Sequence, residues 1–138
     1  AECYFAQLKR IADEPRAQIV GHFDLLTKFD EKEHFFDETS LRYRAAALDA
    51  MDALVSAGKI FEVNTGAISR GWRTTPYPSR WVLEQLKRRN AQVTISSDSH
   101  GVGTVDCAFD RAKALLEACG FEEIRVFDGK TFAAQKIE

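Results

Sequence analysis

Apolar residues recur along this chain with two periods, and the two alternate. Tyr4, Phe5, Leu8 and Ile11 fall at helical spacing and predict a helix over residues 2–13, which Pro15 closes. The run Gln18 to Phe23 then reads as a strand. From Leu41 the helical period returns through Leu48, Met51 and Val55. Thr39 or Ser40 suits its N-cap, and Gly58 suits the left-handed position just past its end. Ile60 to Asn64 is a second strand, and Pro76 and Pro78 break the chain after it. Ser79 can cap a helix holding Val82, Leu83 and Leu86. Gln92 to Ser97 is a third strand. A helix carrying Val105, Ala108, Phe109, Ala112, Leu115 and Leu116 runs to Gly120. Glu123 to Phe127 is a fourth strand, followed by an Asp128-Gly129 turn.

Strands that alternate with helices imply an α/β fold built on a mostly parallel sheet, an open sheet or an arc of a barrel. In either case ligands sit at the carboxyl ends of the strands. Composition narrows the classes further. The 138 residues are 45% apolar and 29% charged, enough for one domain with a real core. A net charge of −2 supplies no basic field, so neither nucleic acid nor a membrane surface is expected as a partner. No apolar stretch approaches the roughly 20 residues that span a bilayer. Cys3, Cys107 and Cys119 fit neither a zinc site nor a disulfide framework, so a reducing, cytoplasmic setting is expected. The chain opens on Ala1, with Met51 its only methionine, and reads as the later part of a longer protein.

Polar residues at three strand ends supply the candidate chemistry. Side chains alternate across a strand, so Val20, His22 and Asp24 share a face of the first strand and Thr94, Ser96, Asp98 and His100 a face of the third. With the apolar faces packed on helices, His22, Glu62, Asn64, Asp98 and His100 are expected to converge on one pocket. Asp98-Ser99-His100 offers a carboxylate and an imidazole to one space, a pairing suited to a divalent metal. Glu62 and Asn64 share a face of the second strand and are expected to support such ligands. His34 lies in the charged run Asp30–His34 and reads as a solvated loop residue. Lys28 follows the first strand, and Arg70 and Arg73 follow the second. Arginine grips a phosphate through two parallel hydrogen bonds, and lysine adds a compact charge. Cations beside metal-facing strand ends favour a phosphate monoester as substrate.

Ile19-Val20-Gly21-His22-Phe23-Asp24-Leu25, Phe61-Glu62-Val63-Asn64-Thr65-Gly66, Tyr77-Pro78-Ser79 and Ser97-Asp98-Ser99-His100 occur in that order. The set resembles the C-terminal half of the PHP-type metallohydrolases, above all their histidinol-phosphatases. The resemblance covers nearly all of residues 1–138, which it identifies with the C-terminal portion of a PHP-type metallophosphoesterase domain. It implies part of a distorted (βα)7 barrel, with about four strands present. It also implies up to three divalent metals (zinc, manganese or iron) and hydrolysis of L-histidinol phosphate in histidine biosynthesis. His22, Asp98 and His100 match metal ligands of that family, and Asp98 or His100 could relay a proton to the leaving group. Lys28 and Arg70 match its phosphate-facing cations, with Arg73 a weaker match.

The family's His-x-His motif and remaining ligands are absent from this sequence. The chain alone is therefore expected to bind metal weakly and to be inactive. Pairing with a missing N-terminal half, or with another copy of the chain, would cover the open edges of a half barrel. The alternatives are another PHP-type phosphoesterase or nuclease, or a non-catalytic remnant that associates with another chain.

Overall fold

The computed structural model describes residues 1–35 and 37–138. In chain order the elements are α1 (Glu2–Lys9), β1 (Ile19–Val20), α2 (Asp30–Glu33) and α3 (Leu41–Ser56). They are followed by β2 (Ile60–Asn64), α4 (Gly66–Ser69), α5 (Arg80–Arg88) and β3 (Gln92–Ser96). The chain ends with α6 (Phe109–Ala118), β4 (Glu123–Phe127) and β5 (Phe132–Lys136). A 3-10 turn over Arg10–Asp13 continues α1, which completes the helical segment expected there.

The sheet is parallel with the order β1-β2-β3, so β2 is its centre. Val20 lies opposite Phe61, and Glu62 and Asn64 lie opposite Thr94 and Ser96. All five residues of β2 are buried, as expected where helices cover both faces of a parallel sheet. The core runs from helix to sheet through aromatic rings. Phe5 of α1 lies 5.3 Å from both Tyr43 of α3 and Phe23, and Phe23 lies 5.5 Å from Phe61 of β2. Ser40 caps α3 by accepting the Tyr43 N–H. Gly58 takes φ +70° beyond its end, a conformation that glycine adopts without steric cost.

Four elements depart from the sequence pattern. β1 stops at Val20, because His22 adopts φ +52° and turns the chain out of the sheet. β3 ends at Ser96, and Asp98 is likewise left-handed at φ +46°. The expected alternation through His22–Asp24 and Asp98–His100 is therefore replaced by two turns. α6 begins only at Phe109, because Ala108 is left-handed and Val105 stands exposed in the preceding loop. The fourth strand does not lengthen the parallel ladder. It folds back on β5 as an antiparallel hairpin, closed by Asp128, whose carboxylate accepts the N–H groups of Lys130 and Thr131.

The early end of β1 leaves the edge of β2 free beyond Phe61, and Tyr77 fills it. Asn64 N–H donates to Tyr77 O at 2.7 Å, and Tyr77 N–H donates to Asn64 O at 3.1 Å. Ser79 begins α5 as expected but makes no side-chain cap. Its N–H instead donates to the buried Asp24 carboxylate at 2.7 Å. Burial pushes Asp24 up to about 6, against the pull of that N–H and of the Arg73 charge.

This arrangement makes β2 the most costly place to remove volume. Phe61→Ala is expected to cost about 3–5 kcal/mol in urea unfolding, whereas Phe127→Ala, on the exposed hairpin, should cost under about 0.5 kcal/mol. Equal losses from the two would show that β2 is not the centre of the core.

Candidate functional site

The two left-handed turns leave the carboxyl ends of β1 and β3, on either side of β2. Residues other than glycine seldom hold positive φ unless their surroundings fix them. For His22 the fixing group is Glu62. One carboxylate oxygen, Oε2, accepts the His22 backbone N–H at 2.9 Å and lies 2.8 Å from the ring Nδ1. Tyr4 of α1 holds the same turn from behind. Its hydroxyl donates to His22 O at 2.6 Å and accepts the Leu25 N–H at 3.3 Å. Burial pushes the Tyr4 phenol up to about 12.

Asn64 sets the other side of the His22 ring. Its Oδ1 accepts the Gly66 N–H at 2.8 Å, which leaves its Nδ2 aimed at Glu62 and 3.2 Å from His22 Nδ1. The Tyr77 ring meets the imidazole edge-on at 5.8 Å. With Nδ1 turned to a carboxylate, Nε2 is the ring atom left to meet a ligand, an arrangement common among metal-binding histidines.

The second group is built on Arg70, just past α4. Its Nη2 donates to Asp98 Oδ2 at 2.8 Å and its Nη1 to Asp98 O at 3.0 Å. The same Nη1 lies 3.1 Å from His100 Nδ1, which is itself 2.8 Å from Asp98 O. Gly66 makes room for this pair. A Cβ there would come within 2.7 Å of both Arg70 Nη2 and the Ser97 carbonyl oxygen. His100 is exposed, and Asp98 is partly so.

The two groups share an electrostatic field. The hydrogen bond to Glu62 holds His22 above its usual range, outweighing burial; the Asp98 charge adds to this and Lys28 opposes it. Burial also raises Tyr77, while the Arg70 charge pulls it down. Lys28 lies close enough for its charge to act on the His22 ring. Its ammonium rests 3.7 Å from the centroid of the Trp72 ring.

Arg73 does not face the same space. It is buried, donating to Thr27 O at 3.2 Å and to Thr27 Oγ1 at 2.8 Å, with Glu31 at 3.5 Å. Its guanidinium ties the loop after α4 to the loop after β1, and its charge is spent inside the fold. His34 is exposed just past α2, as expected, but the run before it is a short helix with Asp30 buried rather than a solvated loop. Tyr4 and Trp72 carry no functional expectation from the sequence, and Tyr77 enters it only through the Tyr77-Pro78-Ser79 segment. Trp72 lies between two arginines, which is a readable signal; nothing local marks Tyr4.

His22, Asp98 and His100 are of the donor types that divalent cations take. Among the described residues, however, no three His, Cys, Asp or Glu side chains form a group that could hold a metal ion. The donor chemistry fits such a group, and the count does not. No helix among the described residues is long and apolar enough to cross a membrane.

Comparison with known proteins bears on this site. Over 124 residues the chain is 36% identical to a probable histidinol-phosphatase of Schizosaccharomyces pombe, a match covering 88% of this chain and 40% of that protein. This chain is related to part of the histidinol-phosphatases. A histidinol-phosphatase of Bacillus subtilis is 27% identical over 100 residues, covering 72% of this chain and 35% of that protein. The chain thus spans 40% or less of the length of these two curated relatives. No family model matches it.

The His22–Glu62 pair carries a pH signature. His22 is raised above the ordinary 6.5 of a histidine, so its contribution is complete below that value and is lost as pH rises through its folded pKa. For Glu62, burial acts upward, but hydrogen bonds from His22 outweigh it and leave the carboxyl below the ordinary 4.5. That contribution is complete above 4.5 and is lost as pH falls through the folded value. The pair should therefore stabilise the chain most between pH 4.5 and 6.5. Melting profiles should show Glu62→Gln losing the most there and less at pH 8; a loss independent of pH would contradict the pairing.

Proposed function

We propose that this chain forms one face of the active site of a phosphate-monoester hydrolase of the PHP type, acting on L-histidinol phosphate. The observation that carries the reading is the joint position of a carboxylate-backed histidine, an Arg–Asp pair and a lysine at the carboxyl ends of one parallel sheet. The relation to proteins named histidinol-phosphatase supports it from an independent direction. The α/β architecture with a parallel three-stranded sheet is compatible with an arc of a barrel.

In this reading Lys28 and Arg70 meet the non-bridging oxygens of the phosphate. Arg70 is directed by its bonds to Asp98, and Lys28 by the ring beneath it. His22, Asp98 and His100 would hold divalent cations (zinc, manganese or iron) together with ligands that the described residues do not include. Such cations, when bound, would lower the pKa of a water that they hold. Glu62 and Asn64 orient the His22 ring so that Nε2 faces the ligand. Asp98 or His100, whichever is not occupied by a cation, would pass a proton to the departing alkoxide.

The test is kinetic. In an intact protein that carries this chain together with the remaining ligands, Arg70→Ala should lower kcat/KM for L-histidinol phosphate by about tenfold to a hundredfold, the worth of one or two hydrogen bonds to a charged group. Arg70→Lys should recover part of that loss. Unchanged kcat/KM in Arg70→Ala would overturn the assignment. Faster release of nucleotides from a DNA 3′ end than of phosphate from histidinol phosphate would favour a nuclease instead.

A further inference from the structure

The indole of Trp72 has no place in the core, yet its loop is pinned from several sides. Trp72 N–H donates to Ala67 O at 2.9 Å, and Lys32 Nζ to the neighbouring Gly71 O at 2.9 Å. Gly71 supplies the left-handed turn, φ +69°, that lets the loop double back. On the far side, Glu31 accepts the Thr74 N–H at 2.7 Å and the Thr75 hydroxyl at 2.7 Å, and Arg73 is anchored on Thr27. The ring itself is only partly covered, and Phe29 meets it edge-on at 5.6 Å. A pinned loop that presents a large, partly exposed ring is a platform rather than a packing element.

Two cations use that platform. Lys28 Nζ sits 3.7 Å from the ring centroid and the Arg70 guanidinium 4.9 Å from it. Both distances fall within the reach of a cation–π attraction. Their charge states differ. Arg70 is matched by Asp98, whereas among the described residues no carboxylate forms an ion pair with Lys28. An aromatic face attracts an ammonium without neutralising it. Lys28 is thus held in place with its full charge available, which a carboxylate partner would not allow.

We propose that Trp72 is a positioning residue for anion binding, holding the uncompensated Lys28 ammonium and backing the Arg70 guanidinium so that both meet one phosphate group. The proposal rests on the phosphate-monoester reading and adds to it the residue that sets the cation geometry.

Two measurements test it on the full chain in a Trp81→Phe background, where Trp72 is the sole indole. In NMR spectra the Lys28 ε-methylene protons should be shifted upfield by the Trp72 ring current and should return to ordinary values in Trp72→Leu. Titration with inorganic phosphate, followed by Trp72 fluorescence in the parent and by calorimetry in all variants, gives the affinities. Trp72→Leu should bind phosphate about threefold to tenfold more weakly, and Trp72→Phe, which keeps an aromatic face, should recover most of the loss. In a Lys28→Gln background the Trp72→Leu penalty should shrink.

Ordinary Lys28 shifts in the parent chain would overturn the proposal while leaving the functional reading intact. So would equal affinities for Trp72→Leu and the parent, or equal losses in the Leu and Phe variants. No phosphate binding by the parent despite shifted Lys28 protons would overturn the functional reading, and the anion role with it.

Discussion

One oxygen of Glu62 holds both the backbone N–H and the ring of His22, and the geometry of the site follows from that. The carboxylate projects from β2, whose five residues are all buried, so its position is set by the core itself. His22 would otherwise continue β1. Captured by Glu62, it turns out of the sheet at a positive φ and presents its ring at the end of the strands. The same turn ends β1 early, which frees the edge of β2 for Tyr77 and brings that phenol against the imidazole. A single buried acid thus fixes a strand end, a ring orientation and the entry of a second loop.

The other half of the site is organised by positive charge. Arg70 spans the gap between α4 and the turn after β3, and Gly66, with no Cβ, leaves room for the guanidinium and for the Ser97 carbonyl. Arg73, buried, serves the scaffold by joining Thr27 to the same loop. Two arginines three residues apart thus differ, Arg70 being partly exposed and paired with Asp98 and Arg73 buried. Lys28 completes the set over Trp72. The site combines a carboxylate-backed histidine with cations held in place by other groups.

Much of the fold is readable in the sequence because its signals are local. The helical period from Leu41, the Ser40 cap and Gly58 place α3, and the run Ile60–Asn64 is β2 residue for residue. His22, Glu62, Asn64, Lys28, Arg70, Asp98 and His100 lie around the strand ends that the βα rhythm indicates. What was not legible depends on tertiary contacts. The turns at His22 and Asp98 arise from partners 40 and 28 residues away, and no local pattern announces them. The burial of Arg73 follows from the position of Thr27, which spacing does not reveal. The hairpin partner Phe132–Lys136 has little apolar alternation, since most of its side chains are exposed and its ladder rests on backbone pairing.

Amide hydrogen exchange at His22 tests the central claim most directly. If Glu62 holds this turn, the His22 N–H should exchange at least about tenfold more slowly than an unpaired loop amide. That protection should vanish in Glu62→Ala while Phe61 and Val63 keep theirs. A His22 amide that exchanges freely in the unaltered chain would contradict the account, because the turn would then owe nothing to Glu62.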